Sequence, residues 1–236
     1  ATGANASAIG HSLASGSHAF AAGLSTNSSS YGASGTHGIA LNKNAKATGY
    51  YGTAIGFSTV ASGGNSFNIG SYGDASGSYS LALGDSNNAS GYGANAIGGS
   101  CNATADFAFA LGRFASSSIY GKYSFASYRF AATGDAQGGQ YILKSDTTDA
   151  TSEAMTTNNS SAGATNQIVA ASDTCLMFSG TIVAMQNGAQ DQGGWEIKGL
   201  LKNDGGTTTL VNSNIQTFSE GNSWAVALSA DNTNNA

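Results

Sequence analysis

Residues 50–63 read YYGTAIG-FSTVASG, and the same two lines recur as GNSFNIG-SYGDASG (64–77), SYSLALG-DSNNASG (78–91), YGANAIG-GSCNATA (92–105) and DFAFALG-RFASSSI (106–119). Glycine closes almost every line: Gly49, Gly56, Gly63, Gly70, Gly77, Gly84, Gly91, Gly98 and Gly112, with Ala105 at the missed beat. A seven-residue beat usually signals a coiled coil. Here it does not, because glycine costs about 1 kcal/mol per helix-interior position and a coiled coil needs bulky residues at its seam. The beat is expected to punctuate turns between short strands, and such a stack belongs to an elongated repeat structure.

The lines alternate in kind. Odd lines end in Ile-Gly or Leu-Gly (Ile55, Ile69, Leu83, Ile97, Leu111), and even lines end in Ser-Gly or a relative (Ser62, Ser76, Ser90, Thr104, Ser118). The true period is therefore fourteen residues, with two strands per coil. Strand side chains alternate faces, so positions 3 and 5 of each line share one face and positions 4 and 6 the other. Position 5 is nearly always alanine: Ala54, Ala61, Ala75, Ala82, Ala89, Ala96, Ala103 and Ala110. Position 3 is small as well, which predicts a thin roll whose interior is built from positions 3 and 5. Asn68 breaks the alanine row and requires hydrogen bonds inside.

On the other face the odd strands carry Ile55, Phe67, Ile69, Leu81, Leu83, Ile97, Phe109 and Leu111, interrupted by Thr53 and Asn95. We expect Asn95 at a wet edge of this stripe. The even strands carry Val60/Ser62, Asp74/Ser76, Asn88/Ser90 and Asn102/Thr104, so that face is mostly polar. A long apolar stripe on a polar surface needs a partner. With the roll's interior already filled, the expected partner is another copy in a closed cyclic assembly. The residues alone leave two and three copies open.

Composition bounds the rest. Of 236 residues 9% are charged, the net charge is −5, and the eight Lys+Arg form no basic stripe, which argues against a nucleic-acid partner. Proline is absent and 40% of residues are hydrophobic, unlike a disordered chain. No apolar run approaches about 18 residues, so no membrane span is expected. Residue 1 already lies in a repeat-like stretch, ATGANASAIG, and we expect a piece of something longer. Cys101 and Cys175 make neither a metal spacing nor a disulfide framework, and both read as small buried residues.

Along the chain, residues 1–126 form the expected roll. Residues 1–42 are a looser version, in which STNSSSYG shifts the register, and 43–126 are the regular part. Residues 127–137 are a connector. Tyr120, Tyr123, Phe125, Tyr128 and Phe130 cluster around it and are expected to cap the seam. From 138 to 236 the segments GQYILKS, NQIVAAS, CLMFSGTIVAMQ, GWEIKGLLKN, TTTLVNSN and SWAVALSA read as antiparallel strands of a β-sandwich or jelly-roll-like domain, which we expect to be truncated at residue 236.

The pairing of Ala-Ile-Gly or Ala-Leu-Gly with Ala-Ser-Gly seven residues on resembles the head repeats of trimeric autotransporter adhesins, a repeat also found in bacteriophage tail fibres. The resemblance covers about residues 1–126. It implies a left-handed parallel β-roll, trimeric, with the bulky strand face at the threefold axis. Asn95 departs from the family's apolar residue at its rung. The run from GDAQGGQYILKSDTTDAT to NSWAVALSADNTNNA is similar to a C-terminal β domain of phage tail-fibre and other virion proteins. An autotransporter would continue instead into a coiled-coil stalk and a membrane anchor.

No catalytic constellation stands out, and no cofactor or metal is expected. His11, His18 and His37 read as surface or turn residues. GGNSFNIG and SYGDASG superficially resemble Ca²⁺-binding β-roll nonapeptides, but the acidic position does not recur. Asp74, Asp85 and Asp106 are not stacked, and Glu153, Glu196 and Glu220 are isolated. Trp195 and Trp224 are weak candidates for stacking on a sugar receptor; the plainer reading is β-domain core or subunit contact. The expectation is a non-enzymatic, homotrimeric phage tail-fibre segment, extracellular on the virion. Its partners would be other tail proteins and a host-surface receptor, glycans included. The alternatives are the head of a bacterial surface adhesin and a fibre-borne polysaccharide depolymerase.

Overall fold

A computed structural model describes residues 1–23, 31–149, 151–188, 191–219 and 224–236. The expected register shift over STNSSSYG falls largely on 24–30, outside the described residues. Among the described residues there is no helix; the protein is all-β, a parallel β-solenoid followed by an antiparallel sheet. It divides into two compact units, Ala1–Ser161 and Ala162–Ala236.

The first unit is the roll. One sheet holds β1 (Ser7–Gly10), β2 (Phe20–Gly23), β4 (Ile39–Leu41), β6 (Thr53–Phe57), β8 (Phe67–Ser71), β10 (Leu81–Asp85), β12 (Asn95–Gly99), β14 (Phe109–Arg113) and β16 (Tyr123–Ala126), all parallel. The second holds the short strands β3 (Gly32–Ala33), β5 (Lys46–Ala47), β7 (Val60–Ala61), β9 (Asp74–Ala75), β11 (Asn88–Ala89), β13 (Asn102–Ala103) and β15 (Ser116–Ser117). Nine long strands at about 4.8 Å each give a rise of about 38 Å.

The turns are made two residues beyond where the glycine beat placed them. Position 2 of each line takes the left-handed conformation, with φ between 53° and 62° at Tyr51, Ser58, Asn65, Tyr72, Tyr79, Ser86, Gly93, Ser100, Phe107 and Phe114. The odd-line glycines instead lie within the long strands, Gly56 inside β6 and Gly70 inside β8. They stack in register, and a Cβ on Gly70 (φ +141°) would collide with the carbonyl oxygen of Gly84.

Positions 3 and 5 fill the interior. Ala54, Ala61, Ala75, Ala82, Ala89, Ala96, Ala103 and Ala110 are wholly buried, as are Thr59, Ala94, Cys101 and Ala108. Asn68 is buried too and donates to the Val60 carbonyl at 2.9 Å. It fits because Gly73 faces it: a Cβ there would lie 2.7 Å from the Asn68 Oδ1. Asn87 donates to the carbonyls of Leu83 (2.6 Å) and Gly98 (2.9 Å) and accepts from the Cys101 N–H (2.9 Å), so its amide bridges successive coils.

The C-terminal end of the roll is closed by the segment read as a connector. β17 (Gly138–Gln140) pairs antiparallel with β16, so the first part of GQYILKS belongs to the roll. The Gln137 side chain accepts from the Ser116 N–H (2.7 Å) and donates to the Ser116 carbonyl (2.9 Å), acting as one more rung on the edge of β15. Lys122 occupies an interior position of the last coil, with its ammonium 5.5 Å from the Tyr141 ring centroid.

In the second unit, β18 (Thr174–Met185), β19 (Gln192–Asp204) and β20 (Thr207–Ser219) form an antiparallel sheet. NQIVAAS and the described part of SWAVALSA are not strands, so the sandwich anticipated from their pattern is, among the described residues, a single three-stranded sheet. Hydrogen bonds tie NQIVAAS and the DNTNNA tail to it: Asn203 Nδ2 to the Ala170 carbonyl at 3.0 Å, and the Thr208 N–H to Asn232 Oδ1 at 2.8 Å. The sheet is two-faced. Trp195, Ile197 and Leu201 are buried on one side, while Met177, Val183 and Met185 are exposed on the other. Cys175 corrects the expectation of burial: it is exposed, because alternation along β18 turns it to the open face.

Candidate functional site

The bulky residues of the long strands form two ladders up one face of the roll. Strand pairing aligns Ser7, Phe20, Ile39, Thr53, Phe67, Leu81, Asn95, Phe109 and Tyr123 in one column. It aligns Ile9, Ala22, Leu41, Ile55, Ile69, Leu83, Ile97, Leu111 and Phe125 in the other. Every residue proposed for the seam lies here, and the stripe extends three rungs beyond them at the N-terminal end and one at the C-terminal end. No member of the stripe is fully buried in a single chain: Ile9 is 61% exposed, Phe67 38% and Phe125 50%. Asn95 is half-buried and donates to the Gly93 carbonyl at 3.0 Å, so its amide is partly satisfied within its own coil.

The face opposite is polar. Lys46, Val60, Asp74, Asn88, Asn102 and Ser116 align along the short strands. Burial raises the Asp74 carboxyl above its ordinary range, opposed by the charge of Lys46.

The two corners of the roll carry aromatic columns that the reading of faces alone did not find. At the turns entering the long strands, Tyr79, Tyr92, Phe107 and Tyr120 are in edge contact, with centroids 5.4–5.5 Å apart. They alternate between positions 2 and 1, and Gly93 gives the room: a Cβ there would crowd the Phe107 ring at 3.1 Å. His18, His37 and Tyr51 extend this corner as stacked rings, at 5.0 and 4.7 Å. At the other corner Phe57 meets Tyr72, and Phe114 meets Tyr128. The aromatics expected to cap the seam are thus divided: Tyr123 and Phe125 form its last rung, Tyr120 and Tyr128 sit on opposite corners, and Phe130 is 89% exposed. The signal for the corners was present at positions 1 and 2, but those positions carry no strand periodicity.

The tryptophans are placed differently from a receptor platform. Trp195 is buried with its ring lying over Gly193, where a Cβ has no room, so it has no open face for a ligand. Trp224 is half-buried. A shallow open groove of about 430 Å³ lies on the second unit, lined by Met177, Lys198, Leu200, Asn212 and Asn214 among others.

The acidic residues serve local roles. Asp85 accepts from Ser71 Oγ at 2.5 Å and Ser86 Oγ at 3.2 Å, and Asp106 accepts from the Tyr92 N–H at 2.9 Å. Glu196 pairs with Lys198 at 2.9 Å. Glu220 lies outside the described residues. Among the described residues no three His, Cys, Asp or Glu side chains come together, and no helix is long and apolar enough to cross a membrane. The chain matches no protein-family model and no curated protein sequence.

Proposed function

We propose that this chain is a structural attachment protein: a segment of a homotrimeric phage tail fibre, exposed on the virion, in which the long-strand faces of three rolls meet along a common axis. The observation that carries this reading is the apolar stripe, in register over nine rungs and open to solvent in one chain. Its energetics favour assembly. The interior of the regular coils is built mainly of alanine, each contributing about one buried methyl, worth roughly 1 kcal/mol. The larger side chains (Phe67, Leu81, Leu83, Phe109 and Leu111) all lie outside that interior. Covering them is the largest hydrophobic gain still open to the roll. The number three comes from the resemblance of the repeat, and so does the phage setting. Receptor binding then proceeds through contacts repeated threefold, which multiplies weak affinities.

Light scattering on the full chain tests the assembly. The expected mass is about 70 kDa, three times the 23.4 kDa chain. Leu83→Asp, which would bury three carboxylates around the axis, should give monomer or unfolded protein. Val60→Asp, on the polar face, should leave the mass unchanged. A monomeric wild type, or a trimeric Leu83→Asp, would overturn the seam. Release of oligosaccharides from a host capsule polysaccharide would overturn the non-enzymatic reading.

A further inference from the structure

We infer that the C-terminal end of the roll carries a binding site for the carboxylate of an acidic sugar, built from Arg113, Arg129, Phe114 and Tyr128. Two cations converge there on one aromatic pair. The Arg129 guanidinium carbon lies 4.0 Å from the Phe114 ring centroid, and that of Arg113 lies 5.2 Å from Phe114 and 5.0 Å from Tyr128. The two rings meet edge to face at 5.2 Å. Phe114 is nearly buried and held at φ 62° in the corner turn, so the pair is a fixed platform.

Neither guanidinium makes a hydrogen bond or ion pair with the protein among the described residues, whose two ion pairs are Lys198–Glu196 and Lys202–Asp204. Each therefore keeps its five N–H donors for a ligand. The neighbouring acid, Asp135, accepts from the N–H groups of Phe130 (2.9 Å), Ala131 (2.6 Å) and Ala132 (2.7 Å). The Arg129 charge adds to these bonds in holding its carboxyl below the ordinary range, without a direct ion pair. The shared ring keeps the two positive charges within about 9 Å of each other, a separation comparable to the screening length of about 8 Å. An anion bound at either fork relieves that repulsion, and the planar forks match a carboxylate.

The surroundings favour a sugar as the carrier of that carboxylate. Tyr128 is half-exposed and offers an apolar face for a pyranose ring. One rung up, Gly99 stands in register with Arg113, and a Cβ there would meet only the Arg113 Cγ, at 3.7 Å. The aliphatic stem of Arg113 thus lies across Gly99. Asp85 stands one rung beyond Gly99 and repels a second anion, so the charged end of the ligand points toward the arginines. A polyanion such as nucleic acid would find no basic stripe on a chain of net charge −5 with eight Lys+Arg scattered along it. As a receptor contact the site rests on the attachment reading. As a carboxylate site it stands on residues of one chain.

The test is calorimetric titration of the full chain with tetragalacturonate, a neutral hexose tetrasaccharide, and inorganic phosphate, with the oligomeric mass measured on the same sample. Tetragalacturonate should bind at least about tenfold more tightly than the neutral sugar or phosphate, and more weakly as salt rises. R113Q/R129Q should lose that preference, and Tyr128→Ala should weaken acidic and neutral sugar alike. R113K/R129K keeps the charges without the forks and should fall between wild type and the glutamine variant, with melting temperature confirming that each variant folds. No binding by wild type, equal binding by folded R113Q/R129Q, or phosphate binding as tight as the acidic sugar would each overturn the site. A trimer that does not bind rejects the site and leaves the assembly standing; a monomer that binds does the reverse.

Discussion

Glycine closes odd and even lines alike because the next coil's carbonyl stands where a Cβ would go, and at the odd line ends a positive φ is added to that. At Gly70 the backbone takes φ +141° and the next coil's carbonyl stands where a Cβ would go. Gly64, which opens its line rather than closing it, has neither constraint, its nearest neighbour being Ser78 Oγ at 3.8 Å. Gly70→Ala should therefore cost about 2–4 kcal/mol, and Gly64→Ala should be neutral or stabilise by about 0.5 kcal/mol, as read by thermal unfolding. Asn68 and Gly73 are a second residue-level pair, because the amide fills the space that the glycine leaves. Gly73→Ala alone should destabilise by about 1–3 kcal/mol, and adding Asn68→Ala should recover much of it, a coupling that a double-mutant cycle measures. The need for internal bonding at Asn68 was legible from its place in the alanine row. Its compensation by Gly73 was not, because Gly73 stands just before β9 and meets Asn68 of β8 only across the interior.

At the scale of elements, the roll's last coil is finished by charges and amides that ordinary coils do not have. Burial lowers the Lys122 ammonium to about 8, and burial pushes the Tyr141 phenol up to about 12. An unfolded lysine holds its proton to about 10.4, so between about pH 8 and 10 the unfolded chain binds more protons and stability rises with pH. An unfolded tyrosine loses its proton near 10 while the folded one keeps it, so stability falls between about pH 10 and 12. Stability of the roll's end should peak near pH 10. Lys122→Met should abolish the rise and Tyr141→Phe the fall, in chemical denaturation followed across pH. The position of Lys122 in the repeat was readable, since it stands where other coils carry Ala94 and Ala108. That it ends the roll depends on Gln137 and β17 folding back onto the edges of β15 and β16, a long-range return with no local pattern.

At the scale of the whole molecule, a roll with a thin alanine interior and its bulky residues outside would gain stability chiefly by assembling. If three rolls share the seam, the melting temperature should rise with protein concentration in wild type and be independent of it in Leu83→Asp, which scanning calorimetry at several concentrations decides. The sequence by itself determined the repeat, the alanine interior and the two unlike outer faces. Those properties follow from alternation along each strand and from stacking one coil on the next, and both are local. Tertiary structure decided the rest. It showed that NQIVAAS is not a strand despite its apolar pattern, that Trp195 is core while Cys175 is open, and that Arg113 and Arg129 converge on one ring. Each of these depends on which surfaces meet, and periodicity carries no information about residues brought together by a turn or a returning segment.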